Sequence, residues 1–390
     1  MNEPTILTVV GNRPQYIKCA VLSPVVRRLA REVLLDTGQH YDHELAGLFF
    51  DQLALPEPDI ALGVGSGSHA EQTARMLVGV EGALREVRPD LVLVFGDTNS
   101  TLAGALAAAK LNLPVAHVEA GLRSFDRRMP EEVNRVVADR LSSLLFCPTA
   151  TAVENLLREG VTRGVHEVGD VMFDLATKAL TPGVEAATLA RCGVRRGGYV
   201  FATMHRPANV DDPGPLRTLL TTLAAAGVPV VLPLHPRTRA GVERFALTRL
   251  FAAWPPAASA SAPKPTATSP GGPAPSAAEL PPGLHPFPPI GYLESLSLIK
   301  NARVVATDSG GMQKEAYFFS VPCVTMRDTS EWVETLASGW NVLVGADGDA
   351  LARALAAPPR GAQHPAFYGR GDAGERIAVV LSEFLAAQGA

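Results

Sequence analysis

Cysteine is sparse and unpatterned in this 390-residue sequence. Cys19, Cys147, Cys192 and Cys323 lie far apart, with no CxxC pair and no Cys/His ligand spacing. That excludes a disulfide framework or a zinc-stapled fold and predicts a reduced, cytoplasmic enzyme without structural metal. No apolar run reaches the length of a membrane span, and the residues before Thr5 lack the basic, apolar and small-residue parts of a secretory signal. Strong charge of either sign is missing too. The formal net charge is −4 and the pI near 6.2, which argues against sequence-independent binding of nucleic acid. The dinucleotide fingerprint GxGxxG is absent from the loop after the first apolar run, which reads Gly11-Asn-Arg-Pro-Gln15.

Apolar residues make up 47% of the chain, and at this length two cores are expected rather than one. Short apolar runs alternate with helix-like segments, the pattern of a parallel α/β sheet. Strands are predicted over 5–10, 33–36, 91–95, 114–118, 144–146 and 165–168, and again over 199–203, 229–234, 303–307, 322–326 and 341–344. We read two doubly wound domains facing a cleft. The first covers 1–170, rejoined by a carboxy-terminal helix over 373–390, and the second covers 171–372. A Pro/Ala/Ser/Gly tract over 255–289 has no periodicity and few large apolar groups, so it is predicted to be an unstructured insertion without catalytic role.

Open α/β sheets bind ligands at the carboxyl ends of their strands, and polar residues gather at those positions. Arg13 follows the first strand and Lys18 lies about one turn into the next helix. An ordinary βα turn with solvated cations would look the same. Asp97 follows the 91–95 strand, where an aspartate can also be only a helix N-cap. Glu119 follows 114–118 and could simply pair with Arg123. Glu131 and Glu132 follow Pro130 in a first helical turn, where acids complement the helix dipole without further function, and Glu131 stands i,i+4 to Arg135. Singly, each has a structural explanation. Together they place several carboxylates and guanidiniums at strand ends, as proton transfer beside a phosphate-bearing ligand requires.

In the second half, His205 and Arg206 end a strand, with Asn209 close by. His235 in Pro233-Leu-His-Pro-Arg237 reads as structural. Thr307-Asp-Ser-Gly-Gly311 runs from a strand into a helix through a turn without bulky side chains, so unhindered backbone N–H groups can receive a diphosphate. Glu315, about one and a half turns on, is placed to accept hydrogen bonds from ribose hydroxyls. A plain glycine-rich connection with a surface glutamate is the alternative.

These pieces, with Thr37-Gly-Gln-His40, Gly96-Asp-Thr98, His117-Val-Glu-Ala-Gly-Leu-Arg123, Pro130-Glu-Glu-Val-Asn-Arg135 and Met326-Arg-Asp-Thr329, resemble the non-hydrolysing UDP-N-acetylglucosamine 2-epimerase family along nearly the whole chain. The resemblance implies two Rossmann-like domains in the glycosyltransferase-B arrangement, a homodimer, a UDP-sugar substrate, and neither metal nor nicotinamide cofactor. It implies catalytic roles for Asp97, Glu119, Glu131 and His205, and UDP or sugar binding by Arg13, Lys18, Arg135, Ser309, Gly310, Gly311 and Glu315. Three places depart from the family pattern. Ala208 stands where a glutamate is usual, Trp332 follows Ser330-Glu331 where many bacterial members carry arginine, and 65–72 differs from the stretch that binds a second UDP-sugar in some bacterial members. The wording around Thr37 and Glu331 is similar to a branch that includes UDP-2,3-diacetamido-glucuronate 2-epimerases.

The implied chemistry is elimination of UDP to a 2-acetamidoglucal and its re-addition, interconverting UDP-GlcNAc and UDP-ManNAc. A glycosyltransferase on the same fold, or a nucleotide-sugar sensor without turnover, are the competing expectations.

Overall fold

The computed structural model describes residues 3–39, 55–253 and 279–388. His40 and positions 255–278 of the Pro/Ala/Ser/Gly tract lie outside them. The chain divides into two compact units, Met1–Thr177 with Ala366–Ala390, and Lys178–Pro365. Among the described residues no helix is long and apolar enough to cross a membrane.

In the first unit the described strands are β1 (Thr5–Val10), β2 (Arg31–Asp36), β3 (Ile60–Ala61), β4 (Leu91–Phe95), β5 (Val115–Val118), β6 (Leu144–Cys147) and β7 (Val165–Glu167). They form one parallel sheet in the order β3-β2-β1-β4-β5-β6-β7. Every residue of β1 and β4 is buried, because helices cover both faces and leave no position for alternating polar side chains. One face packs Leu22, Val26, Phe95 and Phe146, and the other packs Val80, Leu84, Val94 and Ala108. The carboxy-terminal helix Ala373–Gln388 belongs to the first of these layers through Ile377 and Leu381. Its opening amides, Ala373 N and Gly374 N, donate to the buried Asp174 carboxylate at 3.1 and 2.9 Å. The strand order reverses between β1 and β4, and there the loops after the two strands turn to opposite faces and open a crevice.

The second unit repeats the plan with β8 (Val200–Thr203), β9 (Pro229–Pro233), β10 (Gly283–Phe287), β11 (Val304–Thr307), β12 (Cys323–Thr325) and β13 (Asn341–Leu343). The sheet is again parallel, ordered β10-β9-β8-β11-β12-β13, and it reverses between β8 and β11. Strand β10 corrects the expectation that 255–289 is without structure throughout, since Gly283–Phe287 pairs in register with Pro229–Pro233. His285 and Pro286 hide it from a pattern search. A proline is tolerated there because β10 is the outermost strand of its ladder, where a missing N–H costs little.

Candidate active site

Each unit gathers its polar side chains at the point where its strand order reverses. In the first unit, Asn12 caps the helix Arg13–Val26 by accepting from Gln15 N at 3.2 Å, and Arg13 stands exposed at its first position. Buried Gln15 ties this helix to the β4 loop. Its Nε2 donates to the Phe95 carbonyl at 2.8 Å and lies 3.0 Å from the hydroxyls of Thr98 and Thr101. Lys18 lies one turn further on and pairs with Glu119, Nζ to Oε1 at 2.6 Å, with side chains only 6% and 12% exposed. The pair lies over Gly96. A Cβ there would come within 3.2 Å of Lys18 Nζ and 3.5 Å of Glu119 Oε1, and the φ of +61° favours glycine as well. Glu119 itself has φ +69°, a conformation that non-glycine residues adopt at some cost and that clusters at functional sites. Its N–H and that of Ala120 share the Phe146 carbonyl, each at 3.1 Å, which holds the turn.

Asp97 is not the helix N-cap. Thr98 takes that position for the helix Asn99–Lys110, and the Asp97 carboxylate is ion-paired with Arg135 instead. Arg135 also contacts Glu132 at 3.1 Å, and Asn134 Nδ2 donates to the Asp97 carbonyl at 3.0 Å. Two other expected partnerships are replaced. The i,i+4 pair of Glu131 with Arg135 gives way to the i,i+3 pair with Glu132, whose carboxylate also accepts from Ser124 N and Phe125 N, both at 2.9 Å. Arg123 leaves Glu119 to Lys18 and pairs with Asp139 and Glu159, each at 2.7 Å. Glu131 remains exposed in the first turn of the helix Pro130–Leu141. Lys18, Glu119, Asp97 and Arg135 are thus joined pairwise around the β1 and β4 loops, while Arg13 and Glu131 stand at exposed positions on the flanking helices.

In the second unit the reversal point belongs to Asp308, a buried carboxylate just after β11. It accepts from His205 N at 2.9 Å, Arg206 N at 2.9 Å and Asn209 Nδ2 at 3.0 Å, and His205 Nδ1 lies 3.1 Å away. Burial alone would raise its pKa. The hydrogen bond and charge of His205 and the two backbone N–H groups outweigh that and hold it below the ordinary carboxylate value. Asp308 therefore holds the β8 loop to the β11 loop and turns the His205 ring, whose side chain is 39% exposed.

His235, expected to be structural, accepts from Arg237 N at 3.2 Å and also brings its ring to 5.4 Å from that of His205. Burial, His205 and Arg237 push its pKa down, against Asp308. Ser309 precedes the helix Gly310–Phe318 and its hydroxyl makes no capping bond. A Cβ on Gly310 would lie 2.2 Å from Glu331 Oε1, whereas one on Gly311 would meet nothing within 4 Å. Glu315 is buried one turn beyond. Sequence reasoning passed over Asp308 as a group in its own right, although its place directly after an apolar run was the available signal.

Two doubly wound parallel sheets of this kind are those of the glycosyltransferase-B-like fold. The sequence model of the UDP-N-acetylglucosamine 2-epimerase family matches residues 26–382. A Methanococcus maripaludis protein described as a UDP-N-acetylglucosamine 2-epimerase homolog is 42% identical over 379 residues, 96% of this chain and 99% of that one. The UDP-2,3-diacetamido-2,3-dideoxy-D-glucuronate 2-epimerase of Pseudomonas aeruginosa is 42% identical over 388 residues, covering 97% and 99%. Among solved structures, Methanocaldococcus jannaschii UDP-GlcNAc 2-epimerase in complex with UDP-GlcNAc and UDP aligns with a TM-score of 0.82 at 36% identity, over 97% of this chain and 99% of that one. The chain belongs to the UDP-N-acetylglucosamine 2-epimerase family, whose members are isomerases.

Proposed function

We propose that the chain interconverts UDP-N-acetylglucosamine and UDP-N-acetylmannosamine by removing UDP and adding it back. The C2 hydrogen of the sugar has no carbonyl beside it, so direct enolisation is unavailable. When a base takes that proton, the C–H electron pair becomes the C1–C2 double bond and UDP departs from C1 with the C1–O pair. A proton then returns to the opposite face of C2 as the UDP oxygen rebonds to C1. Nothing is oxidised or reduced, and only proton carriers on both faces and a cradle for the departing diphosphate are needed.

The observation that carries this reading is the set of carboxylates and cations at the β1–β4 reversal, Asp97 with Arg135 and Glu119 with Lys18. Asp97, Glu119 and Glu131 are the proton carriers. Arg135 and Lys18 orient two of them and offer positive charge to the ligand, together with Arg13. The turn Ser309, Gly310, Gly311 receives the diphosphate at the amino end of a helix, His205 steadies it, and Glu315 takes the ribose hydroxyls. The working form is a homodimer in the cytoplasm. Light scattering should give twice the 41.1 kDa chain mass, and a monomer mass would remove the dimer.

Proton NMR of UDP-GlcNAc incubated with the enzyme in D₂O tests the reaction. Deuterium at C2 with a ManNAc-configured product is expected without any acceptor sugar. Turnover without exchange at C2 would overturn the mechanism. A second reading has specific support, because the Pseudomonas aeruginosa relative acts on a diacetamido-glucuronate. A kcat/KM at least tenfold higher on that uronate than on UDP-GlcNAc would transfer the substrate assignment to it.

A further inference from the structure

Beneath the loops that carry Asp97 and Glu119 lies a string of buried polar side chains that the proposed reaction does not touch. His117, inside β5, is fully enclosed. Its Nε2 is 2.6 Å from the Gly96 carbonyl and its Nδ1 is 2.7 Å from Asp139 Oδ1. A carbonyl oxygen only accepts. Burial would raise the Asp139 pKa, but the hydrogen bonds and charges of His117 and Arg123 outweigh it and hold the group below the usual carboxylate range, so it too only accepts. His117 thus bridges the Gly96 carbonyl and the Asp139 carboxylate through its two ring nitrogens. The second Asp139 oxygen takes Gly121 N at 3.2 Å and Arg123 Nη1 at 2.7 Å.

Gly96 immediately precedes Asp97, and Gly121 comes two residues after Glu119. One carboxylate thus grips both loops, the first through His117 and the second directly. A backbone bond, Gly96 N to the Val118 carbonyl at 2.9 Å, also ties them. We propose that Asp139 is a positioning residue that holds the Asp97 loop against the Glu119 loop and so keeps two proton carriers in register about one sugar carbon. The inference rests on the roles given to Asp97 and Glu119 under the proposed function. Elimination and re-addition at one C2 are sensitive to such register, since a displacement of about 1 Å can cost ~10²-fold in rate.

The test compares full-length wild type, Asp97→Asn, Asp139→Asn, His117→Gln and His117→Leu for kcat, KM and the ratio of free UDP released to epimer formed. Asp139→Asn should lose about 10–100-fold in kcat with KM nearly unchanged. It should also release more UDP per epimer, because the glycal escapes when the second proton transfer is misaligned. His117→Gln keeps an amide that can donate to the Gly96 carbonyl, so it should lose less turnover than His117→Leu. Should Asp139→Asn fail to fold, the glutamine and leucine variants carry the same comparison. A purely structural network would lower the folded fraction and leave the partition ratio alone, and that outcome overturns the inference. If Asp97→Asn abolishes C2 exchange while Asp139→Asn matches wild type, the function stands and this inference falls. Wild type without C2 exchange removes both.

Discussion

Replacing Asp308 by asparagine takes the charge from a buried carboxylate on which His205, Arg206 and Asn209 all converge. The volume is conserved, so packing is not the variable. An amide has one oxygen, able to accept about two of these donors, and its NH₂ must face the rest. Two hydrogen bonds to a charged acceptor, at about 1.5–3 kcal/mol each, are lost and partly recovered elsewhere, which leaves a cost of about 3 kcal/mol. In a unit of this size that corresponds to a fall in Tm of about 6–12 °C. The pH dependence gives the sharper test. Because the folded Asp308 pKa is depressed, its stabilisation is complete above the unfolded carboxyl value of about 4 and is lost as pH falls through the lower folded value. Urea unfolding of both proteins from pH 7 down to pH 3 should show a constant gap above about pH 5 that narrows in acid. A gap that is absent at pH 7, or that persists unchanged at the lowest pH, would refute the argument that this charge organises the β8 and β11 loops.

Asp97→Asn and Glu131→Gln should each lower turnover by ~10²–10⁴-fold, read by loss of deuterium incorporation at C2; wild-type rates in either would strike that residue from the mechanism. Gly311→Ala meets open space, so Tm should hold while UDP affinity by calorimetry falls, whereas Gly310→Ala runs into Glu331 and should lower both. Unchanged UDP binding in Gly311→Ala would move the diphosphate away from this turn. All four cysteines are buried and free, and burial pushes the Cys323 thiol up to about 12. A thiol reagent at pH 8 should therefore label the native protein slowly and the urea-unfolded protein at four sites, and rapid labelling of the native form would contradict the burial.

Legibility in the sequence followed the range of the force involved. Leu91–Phe95 was readable because a strand covered on both faces needs an unbroken apolar run, and that requirement is local. β3 escaped because two residues carry no period, and β10 because His285 and Pro286 interrupt its pattern at a sheet edge. The loops after β1, β4, β8 and β11 could be marked as polar and glycine-bearing at strand ends. Which charge meets which could not be read this way. Spacing offered Glu131 to Arg135 and nearness offered Arg123 to Glu119, and the fold chose Glu132, Asp97, Asp139 and Glu159 instead.

The order of apolar and polar segments was enough to indicate parallel sheets and polar loops at their strand ends, and the motifs in those loops carried the family resemblance. Only the tertiary structure decided the partnerships, Lys18 with Glu119 across 101 residues and His205 with Asp308 across 103. Apolar burial is specified residue by residue along the chain. Ion pairing depends on which strands become neighbours, and β1 lies beside β4, and β8 beside β11, only once the sheets have assembled.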